Sequence, residues 1–116
     1  MTAAFVNHFN GFFCRVKRAV EVVDECCGKV VDAALKAGYA ILITADHGNA
    51  EDMWDDKINM PKTAHTTNPV EFIYVADNAA DIKLAAGGKL ADIAPTVLKL
   101  LEIEKPADMT ATSLII

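Results

Sequence analysis

The chain has 116 residues, which is the size of one domain and leaves no room for two ordinary ones. The formal net charge is −5, and no basic patch is present, so nucleic acid is excluded as an expected partner. The longest apolar run, 39–43, is far too short to span a bilayer. These features predict a cytoplasmic protein that contacts neither nucleic acid nor membrane.

The apolar content is high for a domain of this size, with 53% hydrophobic residues and a mean hydropathy of +0.23. A short domain buries a smaller share of its surface than a large one does. The excess indicates either a tightly filled core or a surface for a partner, and we favour the partner. Cys14, Cys26 and Cys27 fit neither a disulfide framework nor a zinc motif, so reduced and buried thiols are expected.

The first periodic segment predicts a helix from about Val16 to Ala37. Charged residues occupy its other face, and Gly38 lies just past its end, as a helix C-terminus favours. Apolar residues recur at steps of three and four, which is the period of one helix face. The pattern predicts one buried stripe, formed by Val16, Val20, Val23, Cys27, Val30, Val31, Ala34 and Leu35.

Two short apolar runs predict strands, at 39–44 and 70–75. Such runs are typical of strands covered on both faces, as in a parallel sheet flanked by helices. The segment 46–62 between them is polar and predicts a loop, and 82–84 predicts a short edge strand. Asp92 is a candidate N-cap for a second helix that ends near Glu102, and the tail 106–116 is expected to pack back onto the body.

Side chains that can bind a metal lie between the two predicted strands. Asp46 and His47 follow the first strand directly, and His65 lies just before the second. Ligand sites in open α/β sheets gather at the carboxyl ends of strands, so the two loops could meet there. A carboxylate and neutral imidazoles suit Mn²⁺ or Zn²⁺. From spacing alone the alternatives stay open, because Asp46 could cap a turn and His65 could be a surface imidazole.

Several segments in the same order resemble the C-terminal part of the cofactor-independent (2,3-bisphosphoglycerate-independent) phosphoglycerate mutases, of the alkaline phosphatase superfamily. The resemblance covers about residues 19–116. The segments that carry it are Ala19-Val20-Glu21, Val23-Asp24-Glu25, Gly28-Lys29-Val30-Val31-Asp32, Ile43-Thr44-Ala45-Asp46-His47-Gly48-Asn49-Ala50-Glu51, His65-Thr66-Thr67-Asn68-Pro69-Val70, Leu90-Ala91-Asp92-Ile93-Ala94-Pro95-Thr96, Met109-Thr110 and Ser113-Leu114-Ile115.

The resemblance implies a partial three-layer α/β/α sandwich, alkaline-phosphatase-like, with a long N-terminal helix. It implies an enzyme that interconverts 3-phosphoglycerate and 2-phosphoglycerate through a phosphoserine with two metals, usually Mn²⁺, with Zn²⁺ or Mg²⁺ as other candidates. On the family pattern Asp46 and His47 bind the metal that activates the serine, and His65 binds the other metal. Residues 14–116 would then be the C-terminal portion of the phosphatase-like domain.

The family pattern breaks in residues 1–13, which predict a divergent N-terminal tail. A family Asp and His that complete the second metal site would fall on Phe5 and Phe9, and His8 lies one position out of register. The family's nucleophilic serine and its substrate-binding domain have no counterpart here, so no catalytic residue is assigned.

We therefore expect the isolated chain to be inactive as a mutase unless another chain supplies the missing part. It is also expected to self-associate through an exposed sheet edge. The alternative is a non-catalytic, degenerate paralogue that binds a divalent metal weakly or interacts with another protein. A hydrolase on the same scaffold is the weakest option, because Ser113 is the only serine and lies far from the motif.

Overall fold

The computed structural model describes the backbone of residues 3–116 and the side chains of residues 11–116. The chain divides into two compact units, an N-terminal unit that ends at Ala76 and a C-terminal unit, Asp77–Ile116. Within the described part of the chain, no helix is both long and apolar enough to cross a membrane. Phe5, His8 and Phe9 lie outside the described side chains.

The N-terminal unit is built on one long helix, α1, Ala3–Lys36. It begins well before the predicted start at Val16, and the helix has no break at the proposed tail boundary after residue 13. Its C-terminus agrees with the sequence, since Gly38 adopts a positive φ of 79° and Tyr39 N–H donates to Ala34 O at 3.0 Å. This is the left-handed glycine cap that ends many helices.

The apolar stripe on α1 is only partly covered, so the prediction of a single buried stripe is wrong. Val23 and Val30 are 67% and 65% exposed. Cys14 and Cys26 are exposed as well, contrary to the expectation of buried thiols. The stripe from Val16 to Leu35 extends about 30 Å along the helix, whereas the four-residue strand that contacts the helix extends about 13 Å. Most of the stripe therefore lies beyond the reach of that strand.

Two four-residue strands form the main ladder, β1, Ile41–Thr44, and β4, Phe72–Val75. They pair antiparallel, with Ile41 opposite Val75 and Thr44 opposite Phe72. The prediction of a parallel sheet covered on both faces is wrong for this pair, whose residues are half-buried or exposed. The connection between them contains no helix, and a parallel crossover ordinarily needs one.

The predicted loop 46–62 contains a small hairpin, β2, Trp54–Asp55, and β3, Met60–Pro61. The Asp55 carboxylate accepts the Lys57 N–H at 2.9 Å and so shapes the turn. At the base of the hairpin Lys62 Nζ donates to both carboxylate oxygens of Asp52, at 2.8 and 2.7 Å. The hairpin and this ion pair therefore bring residues 52 and 62 together, between the segment that holds Asp46 and His47 and the segment that holds His65.

The C-terminal unit contains a 3₁₀ turn at Leu90–Asp92 and a helix, α2, Ile93–Leu100. The predicted edge strand at 82–84 is reduced to a single bridge between Leu84 and Ile115. The tail does pack back, as expected, because Leu114 is only 8% exposed.

The predicted cap residue of α2 has a different role. The Asp92 carboxylate makes no cap bond to α2 and instead accepts the N–H groups of Lys89, at 3.0 Å, and Thr112, at 3.2 Å. Thr96, fully buried, donates to Asp92 O at 2.6 Å and accepts the Leu114 N–H at 2.9 Å. These bonds form the buried Asp92 cluster (Asp92, Thr96 and Leu114, with the backbone N–H of Thr112), which ties the tail to the start of α2.

Candidate metal centre

The candidate loops lie at one end of the β1–β4 ladder. Loop 46–51 leaves the end of β1 and loop 65–68 leads into β4. Because the strands are antiparallel neighbours, the end of β1 lies beside the start of β4. Thr44 Oγ1 donates to Glu71 O at 2.8 Å, and this bond joins the end of β1 to the residue before β4. Antiparallel pairing thus brings the two loops together, although the sequence suggested a parallel sheet.

The two loops pair directly through their backbones, and this brings two imidazoles together. Thr66 N–H donates to Gly48 O at 2.8 Å, which forms an isolated antiparallel bridge. The rings of His47 and His65 lie with centroids 3.7 Å apart and planes inclined by 33°. Both histidines that the sequence singled out therefore share one site.

Asp46 contributes a carboxylate beside one of these rings. Its Oδ1 lies 3.5 Å from His47 Nε2, and His47 Nδ1 lies 3.1 Å from Gly48 O. The tautomer with the proton on Nδ1 donates to that carbonyl and leaves the Nε2 lone pair on the side of Asp46. Metal-binding histidines commonly donate their other N–H in this way.

The spacing of these donors suits one divalent ion. Two ligands at about 2.1 Å from a metal, at tetrahedral or octahedral angles, lie roughly 3.0–3.5 Å apart. The Asp46 side chain is 80% exposed, so an ion can reach the pair from solvent. Among the described side chains, however, no group of three or more His, Cys, Asp or Glu is arranged to hold a metal. The residues fit part of a coordination shell and need further ligands to complete one.

Glu51 belongs to the site, and the sequence analysis assigned it no role. Its carboxylate accepts the Asn49 N–H at 2.7 Å, the Asn68 Nδ2–H at 3.0 Å and the Thr66 hydroxyl. These bonds lower the pKa of Glu51 from 4.5 to about 2, the Thr66 hydroxyl contributing most. The only signal in the sequence was its place in the same quoted motif as Asp46 and His47, since a hydrogen bond to residue 66 has no sequence pattern.

Gly48 is required where the loops cross. The residue is buried, and a Cβ on it would collide with Thr66 Oγ1 and with the Glu51 carboxylate. Any larger residue would separate the loops at the point where they pair. The glycine therefore serves a close approach of two backbones rather than a turn of unusual φ.

The fold and this site define the class of protein. Residues 10–105 match the family model described as "Metalloenzyme: Metalloenzyme superfamily", and the chain belongs to the metalloenzyme superfamily. The sequence resemblance is confirmed by curated relatives, which are 2,3-bisphosphoglycerate-independent phosphoglycerate mutases. That of Clostridium botulinum (strain ATCC 19397 / Type A) is 52% identical over 105 residues, which are 90% of this chain and 20% of the relative. That of Pseudomonas fluorescens (strain Pf0-1) is 52% identical over 107 residues, 92% of this chain and 21% of the relative.

A solved structure gives the same result for the fold. A crystal structure of Leishmania mexicana phosphoglycerate mutase at low cobalt concentration matches with a TM-score of 0.67 and 32% identity, over 84% of this chain and 20% of that chain. The mixed helix and strand content fits this fold, in agreement with the α/β, alkaline-phosphatase-like prediction. The chain spans about a fifth of the length of the curated relatives it matches.

Proposed function

We propose that this chain provides metal ligands to a cofactor-independent phosphoglycerate mutase that interconverts 3-phosphoglycerate and 2-phosphoglycerate in glycolysis and gluconeogenesis, in the cytoplasm. The observation that supports the proposal is the meeting of His47 and His65, with ring centroids 3.7 Å apart, beside Asp46. Relatives about half identical over most of this chain bear the name of that enzyme. Mn²⁺ is the proposed ion, with Zn²⁺ and Mg²⁺ as alternatives.

The roles follow the family pattern. Asp46 and His47 hold one ion, and His65 serves a second. Ions of two-metal sites lie about 3.5–4 Å apart, so ligands of different ions are expected to be close neighbours, as these imidazoles are. Such ions supply positive charge that stabilises a transferring phosphoryl group and lowers the pKa of a nucleophile. The residues of this chain bind and orient: His47 presents Nε2 because Nδ1 is held by Gly48 O.

These 116 residues are proposed to lack mutase activity without other segments. Ser113, the only serine, accepts the Ile115 N–H at 3.1 Å and belongs to the C-terminal unit, whereas the three candidate ligands belong to the N-terminal unit. A mutase assay of the isolated chain with Mn²⁺ tests this directly. Turnover of 3-phosphoglycerate without any other polypeptide would refute the proposal of inactivity.

The metal-binding function is tested by calorimetric titration of the chain with Mn²⁺ and then Zn²⁺. We expect binding that Asp46→Ala and His65→Ala each weaken by at least tenfold. Asp108→Ala is the matched control, because it removes an exposed carboxylate from the C-terminal unit. Binding that is indifferent to both site changes, or that Asp108→Ala weakens equally, would overturn the assignment of the ligands.

One observation favours the second candidate, a non-catalytic interaction module. Val23 and Val30 on α1 are 67% and 65% exposed, and Ile73 on β4 is 46% exposed. Apolar side chains exposed along one helix and one strand favour self-association. Light scattering after size exclusion is expected to give an assembly larger than a monomer, and Val23→Lys with Val30→Lys is expected to reduce its size. A chain that is monomeric throughout would contradict this candidate.

A further inference from the structure

We infer that Glu51 is a positioning residue whose carboxylate holds loop 65–68 against loop 46–51, so that His47 and His65 lie side by side before any metal is bound. The group formed by Glu51, Asn49, Thr66 and Asn68 is called the Glu51 latch below. The contact of the two rings is independent of the proposed function, while the effect of Glu51 on metal affinity rests on it.

The first step is the reach of the carboxylate. Glu51 lies on the loop that carries His47, and it accepts hydrogen bonds from Thr66 and Asn68 on the loop that carries His65. Its second oxygen accepts the Asn49 N–H of its own loop at 2.7 Å. The Glu51 side chain therefore joins the two loops, and the Asn49 N–H of its own loop holds it in place. Hydrogen bonds to an ionised acceptor are roughly twice as strong as neutral ones.

The second step is the relation of the latch to the imidazoles. Thr66 follows His65 directly, and its N–H donates to the carbonyl of Gly48, which follows His47. Thr66 is therefore bonded both to the Glu51 carboxylate and to the backbone beside His47, so a displacement of the Thr66 backbone also displaces His65. Two imidazoles in contact gain little by themselves, and the contact becomes repulsive when both carry positive charge or hold cations. Bonds outside the ring pair are consequently what keep the rings together, and these are the backbone bridge from Thr66 to Gly48 and the hydrogen bonds of Glu51.

The third step separates a positioning role from a ligand role. An ionised carboxylate has about four lone-pair directions, and three donors already occupy three of those of Glu51, two on Oε1 and one on Oε2. Bidentate coordination of a metal, or coordination through Oε1, would require these bonds to break. Groups that hold metal ligands in place typically change metal affinity by about 10–100-fold when they are removed.

The experiment measures the ring contact and the metal affinity separately. In the metal-free chain, a nuclear Overhauser effect between the ring protons of His47 and His65 reports their contact. We expect it in the native chain and expect Glu51→Ala to abolish it. Calorimetry should show Mn²⁺ binding about tenfold or more weaker in Glu51→Ala, with Glu51→Gln intermediate because an amide oxygen still accepts from Thr66 or Asn68.

Thr66→Val provides a second route to the same result, since it keeps the shape of the side chain and removes only the hydroxyl. We expect it to weaken Mn²⁺ binding and the ring contact, and its effect should not add to that of Glu51→Ala, because both break one latch. Thr67→Val is the matched control, as Thr67 lies outside the latch. Circular dichroism checks that each variant is folded.

The outcomes distinguish the two proposals. If Glu51→Ala and Thr66→Val keep the ring contact and bind Mn²⁺ as the native chain does, the latch is refuted and the metal site stands. If Glu51→Gln binds as poorly as Glu51→Ala while Thr66→Val is unaffected, Glu51 is a ligand and the positioning role is wrong. If the native chain shows no Mn²⁺ binding, the proposed function fails, and the ring contact alone still decides on the latch.

Discussion

The two units each contain a carboxylate and a threonine that tie distant segments together, but in opposite surroundings. In the N-terminal unit the Glu51 latch joins exposed loops, and its carboxylate accepts two side-chain donors. In the C-terminal unit the Asp92 carboxylate is only 6% exposed and accepts backbone N–H groups from Lys89 and Thr112. A carboxylate that accepts hydrogen bonds from distant residues is therefore exposed in one unit and buried in the other.

Because the two carboxylates differ in burial, the loss of their hydrogen bonds should have different effects on folding stability. A buried donor or acceptor that loses its partner carries the full cost of desolvation, whereas an exposed one finds water. The buried Asp92 cluster should therefore control folding stability. The Glu51 latch should have a small effect on stability and a larger one on the geometry of His47 and His65. Three sets of variants test this contrast.

The largest loss of stability is expected from Thr96→Val. The valine keeps the shape of the side chain but leaves the buried Leu114 N–H without its acceptor and removes the side-chain hydrogen bond to Asp92 O. The expected loss is about 1–3 kcal/mol in the free energy of unfolding, measured by urea denaturation with circular dichroism. Thr110→Val, at an exposed position of the same tail, should change little. Equal effects of the two variants would contradict the role of the cluster.

A matched pair of glycine substitutions comes next. Gly48→Ala places a methyl group against Thr66 Oγ1 and the Glu51 carboxylate, so the latch must open. Overpacking of this kind typically costs about 1–3 kcal/mol, with partial relief here because the end of Glu51 is flexible. Mn²⁺ affinity should fall by at least tenfold in calorimetry, because the loops no longer pair.

Gly28→Ala is the same chemical change without a neighbour. No heavy atom lies within 4 Å of a Cβ at this position of α1. Replacing a helical glycine by alanine typically stabilises by about 0.5–1 kcal/mol. A loss of unfolding free energy in Gly48→Ala together with a gain in Gly28→Ala would confirm that the close approach at Gly48 matters. An unchanged Mn²⁺ affinity in Gly48→Ala would contradict it.

The sequence predicted the local elements well where local chemistry decides them. The end of α1 followed from Gly38, where the Tyr39 N–H donates to Ala34 O. The early start of α1 at Ala3 was missed, because the apolar residues before Val16 lack the clean period on which the prediction relied.

Features that depend on distant contacts were not predictable in the same way. The strands β1 and β4 pair antiparallel, and the connection between them contains a hairpin rather than a helix. Neither feature has a local sequence signal. Asp92 was assigned as a helix cap from its position, yet its partners include Thr112, which lies far along the chain. The candidate ligands Asp46, His47 and His65 were named from motif and resemblance, while their support by Glu51 required the fold.

The smallest expected effect is a pH dependence of the Glu51 latch. The pKa of Glu51 is lowered to about 2 from 4.5, so its stabilising contribution is complete above about pH 5 and is lost as the pH falls towards 2. The difference in urea midpoint between the native chain and Glu51→Gln should therefore shrink over that interval. Fluorescence of Trp54, the only tryptophan, reports this unit through its contacts with Phe12 and Phe13.

Glu71→Gln is the control for this measurement, because it also removes one exposed carboxylate and so corrects for the change in net charge. Glu51 is exposed, so the contribution is screened by solvent and is expected to be modest at every pH. A difference between the native chain and Glu51→Gln that stays constant from pH 5 to pH 2 would mean that ionisation of Glu51 does not hold the loops. The latch would then depend on the shape of the side chain, and the contrast with the buried Asp92 cluster would rest on burial alone.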